Sequence, residues 1–199
     1  MALGTVTDAY ELRFDTGRVC LDLLATTHPV ERLDSVAALR AWITGSGIVP
    51  PGTPLAHADG SWLAAFRELR CQTARLVRAR APRAPAPGGP RDLALARVND
   101  LARAAPPAPR AVRGEDGLLV RELTAPVECA ALLGALARDA VELLTDPVAR
   151  ACLRQCAGDN CPIVYVDTSR GRRRRWCSSE ICGNRERVAR HRRRAALAR

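Results

Sequence analysis

The sequence contains no lysine and one methionine, and its aromatic residues make up only 4% of 199 positions. Exclusive use of arginine as the basic residue reflects a GC-rich, Ala/Arg/Pro-biased genome, so the informative feature is where the arginines fall. Scarce aromatics argue against a surface that stacks single-stranded bases, since only Tyr165 and Trp176 lie in the C-terminal quarter. No stretch reaches the roughly 18 uncharged apolar residues of a membrane span. The most apolar one, Val127 to Leu144, is interrupted by Glu128, Arg138, Asp139 and Glu142. Met1 to Asp15 has neither a cationic start nor an apolar core, so no secretory signal is expected and the reading is cytoplasmic. Internal repeats are absent. So are HExxH, P-loop, GxSxG and Rossmann fingerprints, and no residue is nominated as catalytic.

What is present is a globular balance, 47% hydrophobic and 26% charged, on a chain long enough for one mid-sized domain or for a larger domain plus a small module. The net charge of +10 is unevenly spread. Residues 1–150 carry 18 Arg against 17 Asp and Glu, whereas residues 151–199 carry 13 Arg against 4 acids. A near-neutral body of +1 therefore precedes a quarter of +9.

Periodicity predicts a mainly helical body over residues 1–150 with small β components. Alternation at Tyr10 to Phe14 suggests a strand, and Val19 to Leu24 fits either strand or helix. Asp34 is placed to cap a helix through Thr44 with Val36, Leu39 and Ile43 on one face. A longer helix, capped by Asp59 or Ser61, has Trp62, Phe66, Leu69, Thr73 and Leu76 as its buried stripe and Arg67, Arg70, Arg75 and Arg78 off it. Residues 82–90, rich in proline and glycine, form a loop. Arg91 to Ala104 reads as a shorter helix. Gly114 to Gly117 turns a hairpin, and Leu133, Leu136, Ala137, Ala140, Val141 and Leu144 mark a last body helix that Pro147 closes.

Beyond Ala151 the chemistry changes. Cys156 and Cys161 form C-x4-C, and so do Cys177 and Cys182. Two such pairs around a short insert supply the four sulfurs of a tetrahedral zinc site. Within the insert, Ile163 to Val166 and Arg172 to Trp176 predict a hairpin across the turn Asp167 to Gly171. Four cysteines close the coordination shell, so one zinc of structural role is expected, with arginines offsetting a formal charge of −2. Cys20, Cys71, Cys129 and Cys152 read as small core residues.

Cys182-Gly-Asn-Arg185, preceded by Asp167-Thr-Ser-Arg170 and Arg-Trp-Cys177, resembles the CGNR zinc finger, over about Arg154 to His191. Gly17-Arg-Val-Cys-Leu-Asp-Leu-Leu-Ala-Thr26 is similar to the opening motif of the ABATE domain, which precedes that finger in family members. The chain departs from that motif at Ala25, where the family tends to have Asn. The resemblance implies a stress-responsive transcription regulator with its finger in residues 151–199.

From Ser179 onward the chain reads as a helix capped by Ser178 or Ser179, with Ile181, Val188 and Ala195 as a narrow apolar stripe resting on the zinc lobe. Arg172, Arg173, Arg174 and Arg175 on the hairpin, together with Asn184, Arg185, Arg187, Arg190, His191, Arg192, Arg193 and Arg194, are the candidate nucleic-acid contacts. Asn184 and Arg185 are the candidate base readers, through adenine and guanine respectively. Double-stranded DNA is the leading partner, which would place the protein on the nucleoid when bound. RNA or the ribosome is the alternative. A further alternative makes the body a small-molecule enzyme with an accessory finger, in which Asp22, Glu68 and His28 converge in a pocket. A homodimer and a small-molecule effector stay open, and no membrane partner is expected.

Overall fold

Val19 to Ala25 forms helix α1, and each residue from Cys20 to Ala25 is buried. No alternating pattern survives there because the element lies inside the body. Its N-terminus is met from another helix: Cys20 N–H donates to Asp139 Oδ2 across 2.8 Å, and Arg18 pairs with Asp139 Oδ1 at 2.8 Å. The computed structural model describes residues 12–78 and 88–197. The predicted strand at Tyr10 to Phe14 therefore lies partly outside the described residues, and Leu12 to Phe14 is irregular. Most of the loop predicted for residues 82–90 is likewise outside them.

Helix α2, Val36–Gly45, begins one residue later than predicted, because Ser35 rather than Asp34 accepts from Ala38 N–H. Asp59 caps α3, Gly60–Arg78, by accepting from the N–H groups of Ser61 and Trp62. The stripe Trp62, Phe66, Leu69, Thr73, Leu76 is buried as its spacing requires, and Phe66 meets Trp42 of α2 edge-on at 6.1 Å. Arg70 is a correction: it is buried, donating to both carboxylate oxygens of Glu31 and to Thr26. Helix α4, Pro90–Leu101, starts on proline, whose missing N–H has no partner to lose in a first turn.

Strands β1, Pro109–Arg113, and β2, Leu119–Leu123, form the predicted antiparallel hairpin, in register from Pro109 opposite Leu123 to Arg113 opposite Leu119. In α5, Cys129–Thr145, the buried stripe runs through Leu132, Leu133, Leu136, Ala137, Ala140 and Leu143. Val141 and Leu144 are only partly covered, so the stripe is rotated toward Leu132 and Leu143. Gly134 permits the closest packing, since a Cβ there would stand 2.5 Å from the carbonyl oxygen of Ala104. Pro147 closes α5, which ends at Thr145, as predicted. It opens the short helix α6, Pro147–Ala151, capped by Asp146. Helices α3, α4 and α5 pack on one another, and α1 lies against α3 and α5.

Strands β3, Leu153–Gln155, and β4, Val164–Val166, pair antiparallel from Leu153 opposite Val166 to Gln155 opposite Val164. The predicted hairpin partner of β4, Arg172 to Trp176, forms no strand. It is held by side chains instead: Asp167 accepts from Ser169 and Arg174 N–H, and Tyr165 OH donates to the Arg174 carbonyl at 2.5 Å. This small sheet is continuous with the body. Cys152 and Val166 belong to the main core, while Ala25 of α1 packs in the core of the cysteine lobe. No helix among the described residues is long and apolar enough to cross a membrane.

Candidate metal centre and basic helix

The turn after β3 carries Cys156 and Cys161, and the irregular return segment delivers Cys177 and then Cys182. All four sulfurs lie within 4.8 Å of one another and all four residues are buried. Zinc–sulfur bonds of about 2.3 Å in a tetrahedron require sulfurs about 3.8 Å apart. Cys161 to Cys177 measures 3.7 Å and Cys177 to Cys182 measures 3.5 Å, so the cluster fits one structural zinc. Four thiolates leave no coordination position for water, and the metal serves to hold the lobe together.

In their thiol form the sulfurs do not ionise together. Cys177 is drawn down to about 5, first by hydrogen bonding from Cys161 and then by Arg13, against the cost of burial. Cys182 is pushed up to about 12 by burial and by the nearby Cys177. Backbone donors also reach the cluster, from Gly158 and Cys177 N–H to Cys156 Sγ at 3.4 and 3.3 Å. Tyr165, beneath the cluster, is fully buried and its ring supports the Arg174 guanidinium at 4.6 Å.

Helix formation resumes at Ser179, ahead of the fourth cysteine. Ser178 caps it, accepting from Glu180 and Ile181 N–H, and the first turn, Ser179–Gly183, is a wide π-turn that passes into α7, Asn184–Leu197. That extra residue rotates the rest of the helix. The predicted apolar stripe does not rest on the lobe: Ile181 is 39% and Val188 50% exposed, and Ala195 is exposed. The helix instead projects from the metal centre.

The predicted nucleic-acid contacts separate into groups. Arg187, Arg190, His191 and Arg194 follow i, i+3, i+4, i+7 spacing and share one face of α7, all exposed. That recurrence is present in the sequence, but the density of arginine on every side hides it. Arg185 and Arg192 lie on another face, and Arg193 pairs with Glu186 at 2.8 Å. Asn184 accepts from Arg187 through its Oδ1. Arg172, Arg173 and Arg175 are exposed, the last 5.4 Å from the Trp176 ring. Arg174 is a correction, because it turns inward and donates to the carbonyls of Asp15, Trp176 and Cys177.

Several other readings change. Cys71 is exposed and Cys129 half-buried, so neither is a core residue of the kind predicted, whereas Cys20 and Cys152 are. Asp22, Glu68 and His28 are not assembled into one pocket. Asp22 accepts from Thr16 N–H and Oγ at 3.0 and 2.8 Å, and Glu68 pairs with Arg97 on the surface. His28 lines a cavity of about 760 Å³ at the junction of body and lobe, with Phe14, Ile163, Ile181, Asn184 and Arg185, but neither of the two carboxylates reaches it.

A closed four-cysteine centre carrying an arginine-rich helix defines the class: a zinc-finger protein with a helical N-terminal body. Residues 17–147 match the ABATE family, described as "Putative stress-induced transcription regulator", and residues 152–195 match the CGNR zinc finger. The chain belongs to the ABATE family and carries the finger of that second family. A search of curated proteins found no match.

Proposed function

We propose that this protein is a transcription regulator that binds double-stranded DNA through α7. The carrying observation is the exposed face Arg187, Arg190, His191 and Arg194, on a helix that leaves the metal centre without folding back on it. Like charges at this spacing repel one another in water, and a polyanion relieves that repulsion while releasing its counterions. An α-helix also fits the major groove, and Arg185 and Arg192 on the far side of α7 stay outside this contact face. The exposed Arg172 and Arg173 supply additional phosphate contacts from the lobe. The body serves as the sensing or assembly part, and the role assigned to the whole chain is binding rather than catalysis.

Burial of Tyr165 favours duplex DNA over single-stranded RNA, because it leaves Trp176 as the lobe's one remaining aromatic. The test is binding of a duplex from the protein's own promoter region by the zinc-loaded chain across a salt series. Five arginine contacts to phosphate, from Arg172, Arg173, Arg187, Arg190 and Arg194, give a log–log slope of about −4.5, and Arg190→Ala or Arg194→Ala each reduces its magnitude by about 1. Arg110→Ala, on the body hairpin, leaves the slope unchanged. Absence of binding at about 50 mM salt, or binding indifferent to salt, overturns the reading. Stronger binding to structured RNA in competition would move the assignment to RNA.

A further inference from the structure

Arg13 lies outside both segments covered by the family models, yet its guanidinium enters the metal centre. Nη1 donates to Cys177 Sγ across 3.1 Å, and Nη2 donates to the Cys177 carbonyl across 2.9 Å. The side chain is only 12% exposed. Asp15 fixes its orientation from the opposite edge, accepting from Nε at 3.0 Å and from Nη2 at 2.7 Å. Arg174 closes the arrangement by donating to the carbonyls of Cys177 and Asp15.

The four sulfurs are served unequally. Cys156 receives two neutral backbone donors, whereas Cys177 receives a full positive charge. A zinc ion with four thiolates carries −2, and a buried net charge is costly unless another charge offsets it. One guanidinium halves that charge. It comes from the stretch just before α1, which also offers the Thr16 carbonyl to Val166 N–H at 2.8 Å. A finger that is complete in itself needs no arginine from the other end of the chain.

We propose that Arg13 is an outer-sphere residue of the zinc centre, supplied by the N-terminal body, and that metal occupancy thereby fastens the finger and the root of α7 to that body. The inference rests on the zinc site and is independent of what α7 binds. Loss of metal frees the four sulfurs from their common centre, so that Cys177 Sγ is no longer held in place against Arg13 and the Arg13–Asp15 stretch loses a fixed anchor on the lobe. Outer-sphere partners orient metal ligands and tune their basicity, and their removal costs tenfold to a hundredfold in metal affinity.

The test uses the full chain, with zinc affinity measured by competition against a chromophoric chelator and cobalt(II) substituted for spectroscopy. Arg13→Ala is expected to weaken zinc binding tenfold to a hundredfold. It also moves the sulfur-to-cobalt charge-transfer band to longer wavelength, because the thiolate loses a cationic donor, and speeds amide exchange in Val164–Val166. Arg13→Lys recovers part of each effect, keeping the charge but not the fork. Wild-type affinity within twofold and an unmoved band in Arg13→Ala overturn the proposal. If that variant does not accumulate, Asp15→Asn, which unseats Arg13 while leaving its charge, is measured in the same way: weakened binding supports the proposal and unchanged binding overturns it. Failure of the wild-type chain to bind zinc overturns the site itself as well.

Discussion

Val166 donates its backbone N–H to the Thr16 carbonyl across 2.8 Å, joining the sheet of the cysteine lobe to the irregular lead into α1. The next residue, Gly17, has φ +90°, and a Cβ there would lie 3.3 Å from Val166 Cβ. Gly17→Ala is expected to destabilise the protein by about 1–3 kcal/mol, through a left-handed backbone that alanine resists and through crowding against Val166. Chemical denaturation of the zinc-loaded chain checks this, and an unchanged midpoint refutes it.

Asp22 sits under the same segment. Burial raises its carboxyl to about 6, against the lowering effect of Thr16 N–H and Oγ. A carboxyl raised in the folded state holds its proton there more tightly than in the unfolded chain. Its contribution to stability is therefore full below about pH 4 and is lost as pH rises toward about 6. Asp22→Asn keeps an acceptor for Thr16 and removes the buried charge. The expected result is equal or higher stability at pH 7, by up to about 2 kcal/mol, with a flatter stability profile between pH 4 and 6. A variant less stable than wild type at pH 7 would show that the ionised form is the better partner for Thr16.

Arg70 is buried in the body, bonded to Glu31 at 2.7 and 2.5 Å and to Thr26 at 2.8 Å. Arg70→Met fills similar space but leaves Glu31 and Thr26 without their donor. A loss of about 2–3 kcal/mol is expected in thermal or denaturant unfolding, since hydrogen bonds to charged groups are the stronger class. Glu31→Gln should cost less, because the Glu31 carboxylate is partly solvated.

Removing one zinc ligand tests the lobe directly. Cys177→Ser is expected to bring metal content from about one zinc per chain to none and to unfold residues 152–183, because structural zinc contributes roughly 10–16 kcal/mol of apparent binding free energy. Cys71→Ser, at an exposed position on α3, should change neither metal content nor fold. Metal analysis and hydrogen exchange read both outcomes. Zinc retained in Cys177→Ser would mean a different ligand set.

Elements whose partners are their own near neighbours were legible. The α3 stripe is set by helical spacing, and the hairpin at Gly114 to Gly117 by turn chemistry. The zinc ligands follow from two matching cysteine pairs. Misreadings gather where two groups compete for the same backbone donors or acceptors. Ser35 takes the cap expected of Asp34. Residues 172–176 give up strand pairing because Asp167 and Tyr165 bind their backbone first. A single π-turn after Ser178 redirects the apolar positions of α7 and leaves its basic face free.

The sequence by itself determined that a nearly neutral helical body precedes a basic quarter organised on four cysteines. Composition and spacing are local properties, and burial and metal chemistry act on them directly. Only the tertiary structure decided which charges reach the metal. Arg13 and Cys177 meet because the core carries the lead into α1 beneath the cysteine lobe, and Arg174 is withdrawn from the surface by the same packing. Charge offsets charge through space, at distances that the order of residues does not specify.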